Sequence, residues 1–200
     1  MSQISVSSMK RWILGCSLAL ATAIAVANSP GSGVSSGSAG PSQVVRQSLA
    51  DAMLAGEGQM RFLGLRIYDA RLWVTPRFEP QAFGAHPLAL ELTYHRAFTG
   101  AAIAQRSIEE IRRQSPLAPV QAERWQKRLT ELLPDVQQGD RLTGVYQPGQ
   151  GMRLWRGGQE LGAIEDAELG RLFFGIWLSP RTSEPELRSA LLARSPGGVP

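Results

Sequence analysis

The clearest signal in the chain is the alternation over residues 88–94 (LALELTY). There Leu88, Leu90, Leu92 and Tyr94 fall on one face, with the period of a half-buried strand. Residues 60–74 (MRFLGLRIYDARLWV) are rich in β-branched and aromatic side chains, and Gly64 marks a bend between two strands. The period then changes. Thr99 is a good N-cap, and Ala104, Ile108 and Ile111 recur at i, i+4 and i+7, which predicts a helix. A second helix follows Pro116 and Pro119, carries Ala122, Trp125, Leu129 and Leu132 on one stripe, and stops before Pro134. Residues 141–147, 152–155 and 160–164 are short strand-like runs separated by Gly-containing turns at 148–151 and 156–159, a meander. Leu169, Leu172, Phe173 and Ile176 form another helical stripe, ended by Ser179-Pro180. Ser183-Glu184-Pro185-Glu186 opens a last helix with capping-box spacing.

Strands group with strands and helices with helices. That arrangement predicts an α+β domain, an antiparallel sheet backed by helices on one face. It excludes a parallel Rossmann-type sheet, which needs regular strand–helix alternation and a Gly-rich phosphate turn after the first strand. Gly56-Glu57-Gly58 is no phosphate loop, since no Gly-Lys-Ser/Thr continuation follows it.

The N-terminus reads as an address. Met9-Lys10-Arg11 is followed by an uncharged stretch from Trp12 to Val26, and Ala25-Val26-Ala27 is the small-x-small pattern of a cleavage site. Residues 1–27 are therefore expected to be a signal peptide cut after Ala27, giving an exported protein, periplasmic in a Gram-negative cell. The apolar stretch falls short of the ~20 residues of a membrane span. Its retention as an N-terminal anchor, with the membrane proximity that implies, is the alternative. Residues 28–42 (NSPGSGVSSGSAGPS) form a flexible Gly/Ser/Pro linker, and residues 43–195 are the folded domain. Cys16 is the only cysteine, so the mature chain has no disulfide and no thiolate chemistry.

Composition narrows the function. The net charge of +4 suggests nucleic acid, but removing Lys10 and Arg11 from the 21 basic residues leaves 19 against 17 acidic ones. The arginines are also spread along the chain, without the concentrated patch that a phosphate footprint needs, so no nucleic-acid partner is expected. His86 and His95 lack the spacing of a metal motif, no cofactor fingerprint is present, and Gly139-Asp140-Arg141 reads as a turn entering a strand. What stands out is a strand region rich in Arg and Tyr: Arg61, Arg66, Tyr68, Asp69 and Arg71, with Tyr94 and Arg96 beyond. A guanidinium beside a phenol in an apolar cavity is a good receptor for a carboxylate or phenolate. The competing reading is structural, with Asp69 and Arg71 pairing on one strand face and the tyrosines capping a core.

Five segments resemble the bacterial chalcone isomerase-like family. They are residues 54–61 (LAGEGQMR), residues 68–73 (YDARLW), the 88–96 strand ending Tyr94-His95-Arg96, Trp125 with Pro134-Asp135-Val136 and Gly139-Asp140-Arg141-Leu142, and residues 173–178 (FFGIWL). The resemblance implies an open-faced β-sandwich in which helices back an antiparallel sheet. It also implies one of two activities. Plant chalcone isomerases cyclise a chalcone with an arginine placed after a Gly-x-Gly-x motif, and non-catalytic relatives hold a fatty-acid carboxylate with an Arg and a Tyr. Here Met60 stands where that arginine belongs, Arg61 is displaced by one, and Tyr68 occupies the position of a catalytic threonine. A one-residue shift along a strand changes the face a side chain occupies. The expectation is therefore a non-catalytic protein that binds a small hydrophobic acid such as a fatty acid or lipid fragment. Arg61 and Tyr68 are the favoured head-group contacts, and Tyr94 and Arg96 the second choice. An intramolecular lyase or isomerase acting on an unsaturated carbonyl compound, and an interaction module without ligand, are the alternatives. The oligomeric state is not legible.

Overall fold

The computed structural model describes residues 40–196. The expected signal peptide and most of the linker lie outside the described residues. From Pro41 onward the chain forms α1 (Gln43–Ser48), β1 (Met53–Phe62), β2 (Leu65–Val74), a short 3-10 helix (Pro80–Ala85) and β3 (Leu88–Tyr94). Two helices follow, α2 (Gly100–Gln114) and α3 (Pro119–Leu132). The chain then returns through β4 (Arg141–Gln147), β5 (Gly151–Arg156) and β6 (Gln159–Ile164) and closes with α4 (Ala167–Leu178) and α5 (Pro185–Leu192). The six strands pair antiparallel in chain order, β1 to β6. The α+β reading, an antiparallel sheet with its helices packed on it, holds.

Register explains which residues are buried. Along β2, β3 and β4 the pairs Leu72–Leu90–Gly144 and Val74–Leu88–Tyr146 lie on one face. Nearly all these side chains are withdrawn from water, and each fully buried Leu or Val stabilises the fold by about 1.5–3 kcal/mol. The opposite face carries Gln59–Asp69–Thr93–Arg141 and Glu57–Arg71–Glu91–Thr143. Even so, β3 is buried on both faces instead of half-buried, with Thr93 alone partly exposed along it, and the second face is apolar at one end. There Val44, Val45 and Leu49 of the α1 region pack on Trp73, Ala89 and Val145.

The caps fix where the helices begin. Thr99 Oγ1 accepts from the Ala102 amide at 3.2 Å, as its sequence position suggested, and Asp135 accepts from the Gly100 amide at 2.8 Å. Asp166 caps α4 through the Leu169 amide at 3.0 Å and also accepts from Trp125 Nε1 at 2.9 Å, which ties α3 to α4. The expected capping box on the last helix is not formed. Its N-cap is Glu184, one residue beyond Ser183, and no side chain caps it.

Two other expectations change. The sheet starts at Met53 instead of Met60, and a short helix precedes it. Asp69 and Arg71 also find partners other than each other. Arg71 reaches Glu57 across the strand pair at 3.3 Å, while Asp69 takes His95 at 2.8 Å, Gln59 at 2.6 Å and Arg66 at 3.3 Å. Gly139-Asp140 is the turn expected. Gly139 has φ 91°, and Asp140 accepts from the Gln137 amide at 2.7 Å.

Candidate functional site

The two tyrosines singled out in the sequence are cross-strand neighbours. Tyr68 on β2 lies directly opposite Tyr94 on β3, and Met60 on β1 lies opposite Tyr68, so the three form one row on the helix-covered face. The phenol rings meet edge to face with centroids 5.8 Å apart, and Tyr94 meets Phe98 at 6.0 Å. Strand alternation puts them there: Tyr68, Ala70, Leu72 and Val74 share the face that the helices cover.

The helices supply the rest of the site. Trp177, near the end of α4, donates its indole N–H to Tyr68 Oη at 3.0 Å and packs edge to face on Phe173 at 5.6 Å. From α2 come Arg106 and Glu110, one helical turn apart, which form an ion pair. Arg113 also reaches Glu110, at 3.5 Å, and Arg106 reaches Glu109 at 3.3 Å. Glu110 Oε2 is buried with no hydrogen-bond partner among the described residues. Glu184 contributes a further carboxylate from the start of α5.

The electrostatics hold the Tyr68 phenol in its protonated form. Burial raises its pKa, the Trp177 hydrogen bond opposes this, Glu184 and Glu110 push it further up, and Arg106 pulls it down. Burial likewise raises Tyr94, with a smaller push from Tyr68. Both phenols therefore stay protonated at neutral pH. Burial also raises Glu184, and the nearby Glu110 adds to that shift.

The structure separates the four expected contacts into two pairs. Tyr68 and Tyr94 come together on the helix-covered face, Tyr94 buried and Tyr68 half-buried. Arg61 and Arg96 are exposed, and Arg61 lies opposite Arg66 beyond a register shift that follows Met60. The charged group beside the phenols is instead the Arg106–Glu110 pair. Its sequence signal was the i, i+4 spacing on α2, which is common on solvated helix faces and so drew no attention. Trp177 lay within the family-like 173–178 segment, although the helical stripe had pointed to Ile176. Elsewhere, a cleft of about 320 Å³ is lined by Phe83, Gln114, Arg171, Leu172, Pro180 and Arg181, none of them an expected site residue. Among the described residues, no group of three or more His, Cys, Asp or Glu could hold a metal ion, and no helix is long and apolar enough to cross a membrane.

An antiparallel sheet with helices packed on one face is the architecture that the sequence resemblance implied. The chain belongs to the chalcone isomerase-like family, whose model matches residues 41–193. Its fold is similar to that of a fatty-acid binding protein of Arabidopsis thaliana, with a TM-score of 0.57 and 12% identity over 72% of this chain and 88% of that one. No curated protein matches the chain by sequence.

Proposed function

We propose that this protein binds the carboxylate of an amphipathic acid, such as a fatty acid or lipid fragment, between the sheet and its helices, and does not transform it. One observation carries the reading. Tyr68 accepts from Trp177 but its own proton has no acceptor among the described residues, and Tyr94 has no hydrogen-bond partner there. Two phenol donors side by side match the two oxygens of a carboxylate. The likeness in fold to a plant fatty-acid binding protein supports a ligand of this class.

The same burial argues against catalysis. A phenol held in its protonated form donates hydrogen bonds but is a poor base, and Met60 offers no charge where the plant enzymes carry an arginine. Arg106 takes the part of the counter-ion in this reading, in place of the exposed Arg61. Displacement of a fluorescent fatty acid from the full chain tests it. We expect saturable binding by medium to long chains, weakened by about 1.5–3 kcal/mol in Arg106→Gln, the scale of a hydrogen bond to a charged group. Arg61→Ala should leave the affinity unchanged. Absence of saturable binding would overturn the reading. Chalcone turnover lost in Tyr68→Phe would replace it with the isomerase alternative. The reading also has the protein exported, so the mature chain should begin at Asn28, as N-terminal sequencing would determine.

A further inference from the structure

The β1–β2 hairpin ends in a tip that the interior site does not use. Its turn has two residues, Leu63 at φ 48° and Gly64 at φ 78°, closed by the Phe62–Leu65 pair. Positive φ at both positions makes it a type I′ turn, in which the first position favours Asn or Asp. A leucine there is held in a backbone region it disfavours, and it is 69% exposed. Leu65 beside it is 48% exposed. Two large apolar side chains therefore project from the end of the sheet against both their conformational and their solvation preference.

Arginines surround them. Arg61 and Arg66 face each other across the hairpin, one step behind the turn. Arg96 follows β3 to the same end, because the amide N–H of His95 donates to the Ile67 carbonyl at 2.9 Å. Arg61 and Arg96 are exposed and make no ion pair among the described residues. The carboxylate at this end, Asp69, is already shared by Gln59, His95 and Arg66.

We propose that this tip docks on the surface of an anionic lipid bilayer. Leu63 and Leu65 enter the boundary between head groups and acyl chains, and Arg61, Arg66 and Arg96 meet the lipid phosphates. Shallow apolar insertion combined with basic side chains is what interfacial binding requires. Charge selects the bilayer over a second copy of the chain, which would bring the same arginines face to face. The Met60–Tyr68–Tyr94 row lies immediately behind the tip, so docking would bring the interior phenols close to the membrane. The proposal holds whether or not those phenols bind a fatty acid.

The apolar stretch at residues 12–26 could hold the full chain on a vesicle by itself, so the readout has to come from the tip. In the full chain carrying Cys16→Ser, a nitrobenzoxadiazole label on Leu65→Cys would report its surroundings. Vesicles of phosphatidylcholine mixed with phosphatidylglycerol should shift its emission to the blue. Pure phosphatidylcholine, or high salt, should not. Leu63→Asn supplies the residue the turn prefers, so it should keep or raise thermal stability while weakening the response about ten-fold. Arg61→Gln should weaken it about five-fold, the worth of one basic side chain at an anionic surface. Unchanged emission on anionic vesicles, an undiminished response in Leu63→Asn, or a blue shift on raising protein concentration without lipid would each overturn the proposal. The last would make the tip a contact between copies.

Discussion

On β2 and β3 one face of the sheet carries Tyr68, Ala70, Leu72 and Val74 against Tyr94, Leu92, Leu90 and Leu88. The other face of the same strands carries Asp69, Arg71 and Trp73 against Thr93, Glu91 and Ala89. The first face, extended through β1, β4 and β5, is packed by α4 and α5, and its polar atoms include the Tyr68 hydroxyl and, at the far end, the Tyr146 hydroxyl, which donates to the Gly84 carbonyl at 2.9 Å. The second is a lattice of ion pairs and amides with one apolar patch under α1. Polar groups thus behave differently on the two faces. Asp69 is half-exposed, multiply hydrogen-bonded and cheap to keep. Glu110 is buried with its acceptor capacity only partly used among the described residues, a costly arrangement that suits a site better than a scaffold, and the half-buried Tyr68 near it accepts from Trp177. The boundary between the two regimes lies beneath α1. There Glu91 is 4% exposed and accepts from Trp73 Nε1 at 2.8 Å, while its Oε1 and the Thr143 hydroxyl beside it are buried without partners among the described residues.

The largest expected effect tests the tight contact on the helix-covered face. A Cβ added at Gly56 would lie 2.2 Å from the Ala190 carbonyl oxygen of α5, and backbone cannot yield as a side chain can. Gly56→Ala should cost about 3 kcal/mol, or roughly 6–12 °C in Tm by calorimetry. A loss below 1 °C would mean that α5 does not pack on β1 as described.

Tyr68→Phe comes next. It strands the Trp177 N–H, so it should cost about 1–2 kcal/mol of stability in denaturant unfolding while leaving the sheet intact. Thr143→Val should move the other way. It removes a buried hydroxyl that has no partner among the described residues, and we expect a gain of up to about 1 kcal/mol. A clear loss would show that the hydroxyl is satisfied after all, and the contrast drawn beneath α1 would fail.

The smallest effects are titrations of opposite sign. Burial, reinforced by Glu110, raises the Glu184 pKa in the folded state, so Glu184 contributes most below its unfolded pKa. That contribution is lost as pH rises through the folded value. Glu184→Gln should therefore gain on the wild type toward neutral pH. At Asp69 burial pushes the pKa up, but the hydrogen bonds from Gln59 and His95 outweigh it and the net shift is downward. Its contribution is present above the unfolded pKa and lost as pH falls through the folded one. Asp69→Asn should thus cost least in acid and most at neutral pH, and its cost should stay small because half-exposed ion pairs are screened by water. Tm followed from acid to neutral pH for both variants checks the two signs, and slopes of the same sign would break the contrast.

The middle of the fold was legible because each element there has a continuous apolar stripe. Residues 88–94 put Leu88, Leu90, Leu92 and Tyr94 at every second position, and α2 and α4 repeat at helical spacing. The first half of β1 was not legible, for a definite reason. Gly56 and Gly58 occupy its helix-facing positions, where α5 packs directly on the backbone, so the buried face shows no hydrophobic period. Six-residue α1 was equally silent. A helix that short is not stable alone and forms because Val44 and Val45 bury against Trp73 and Val145. The site was half visible. Tyr68 and Tyr94 could be read as partners on adjacent strands, but nothing local distinguishes Arg61 from Arg106 as the nearer charge.

Residue period and composition alone determined the class of fold, the apolar face of β3 and the placing of two phenols on strands. These depend only on which side chains avoid water at spacings of two or near four. Tertiary structure decided which guanidinium stands beside those phenols. The register shift after Met60 accompanies an exposed Arg61, while the packing of α4 on the sheet and of α2 on α4 delivers Trp177, Arg106 and Glu110 from positions up to 109 residues away in the chain. Partners so far apart meet only when whole elements dock, and docking is set by the summed burial of both faces, which no local pattern records.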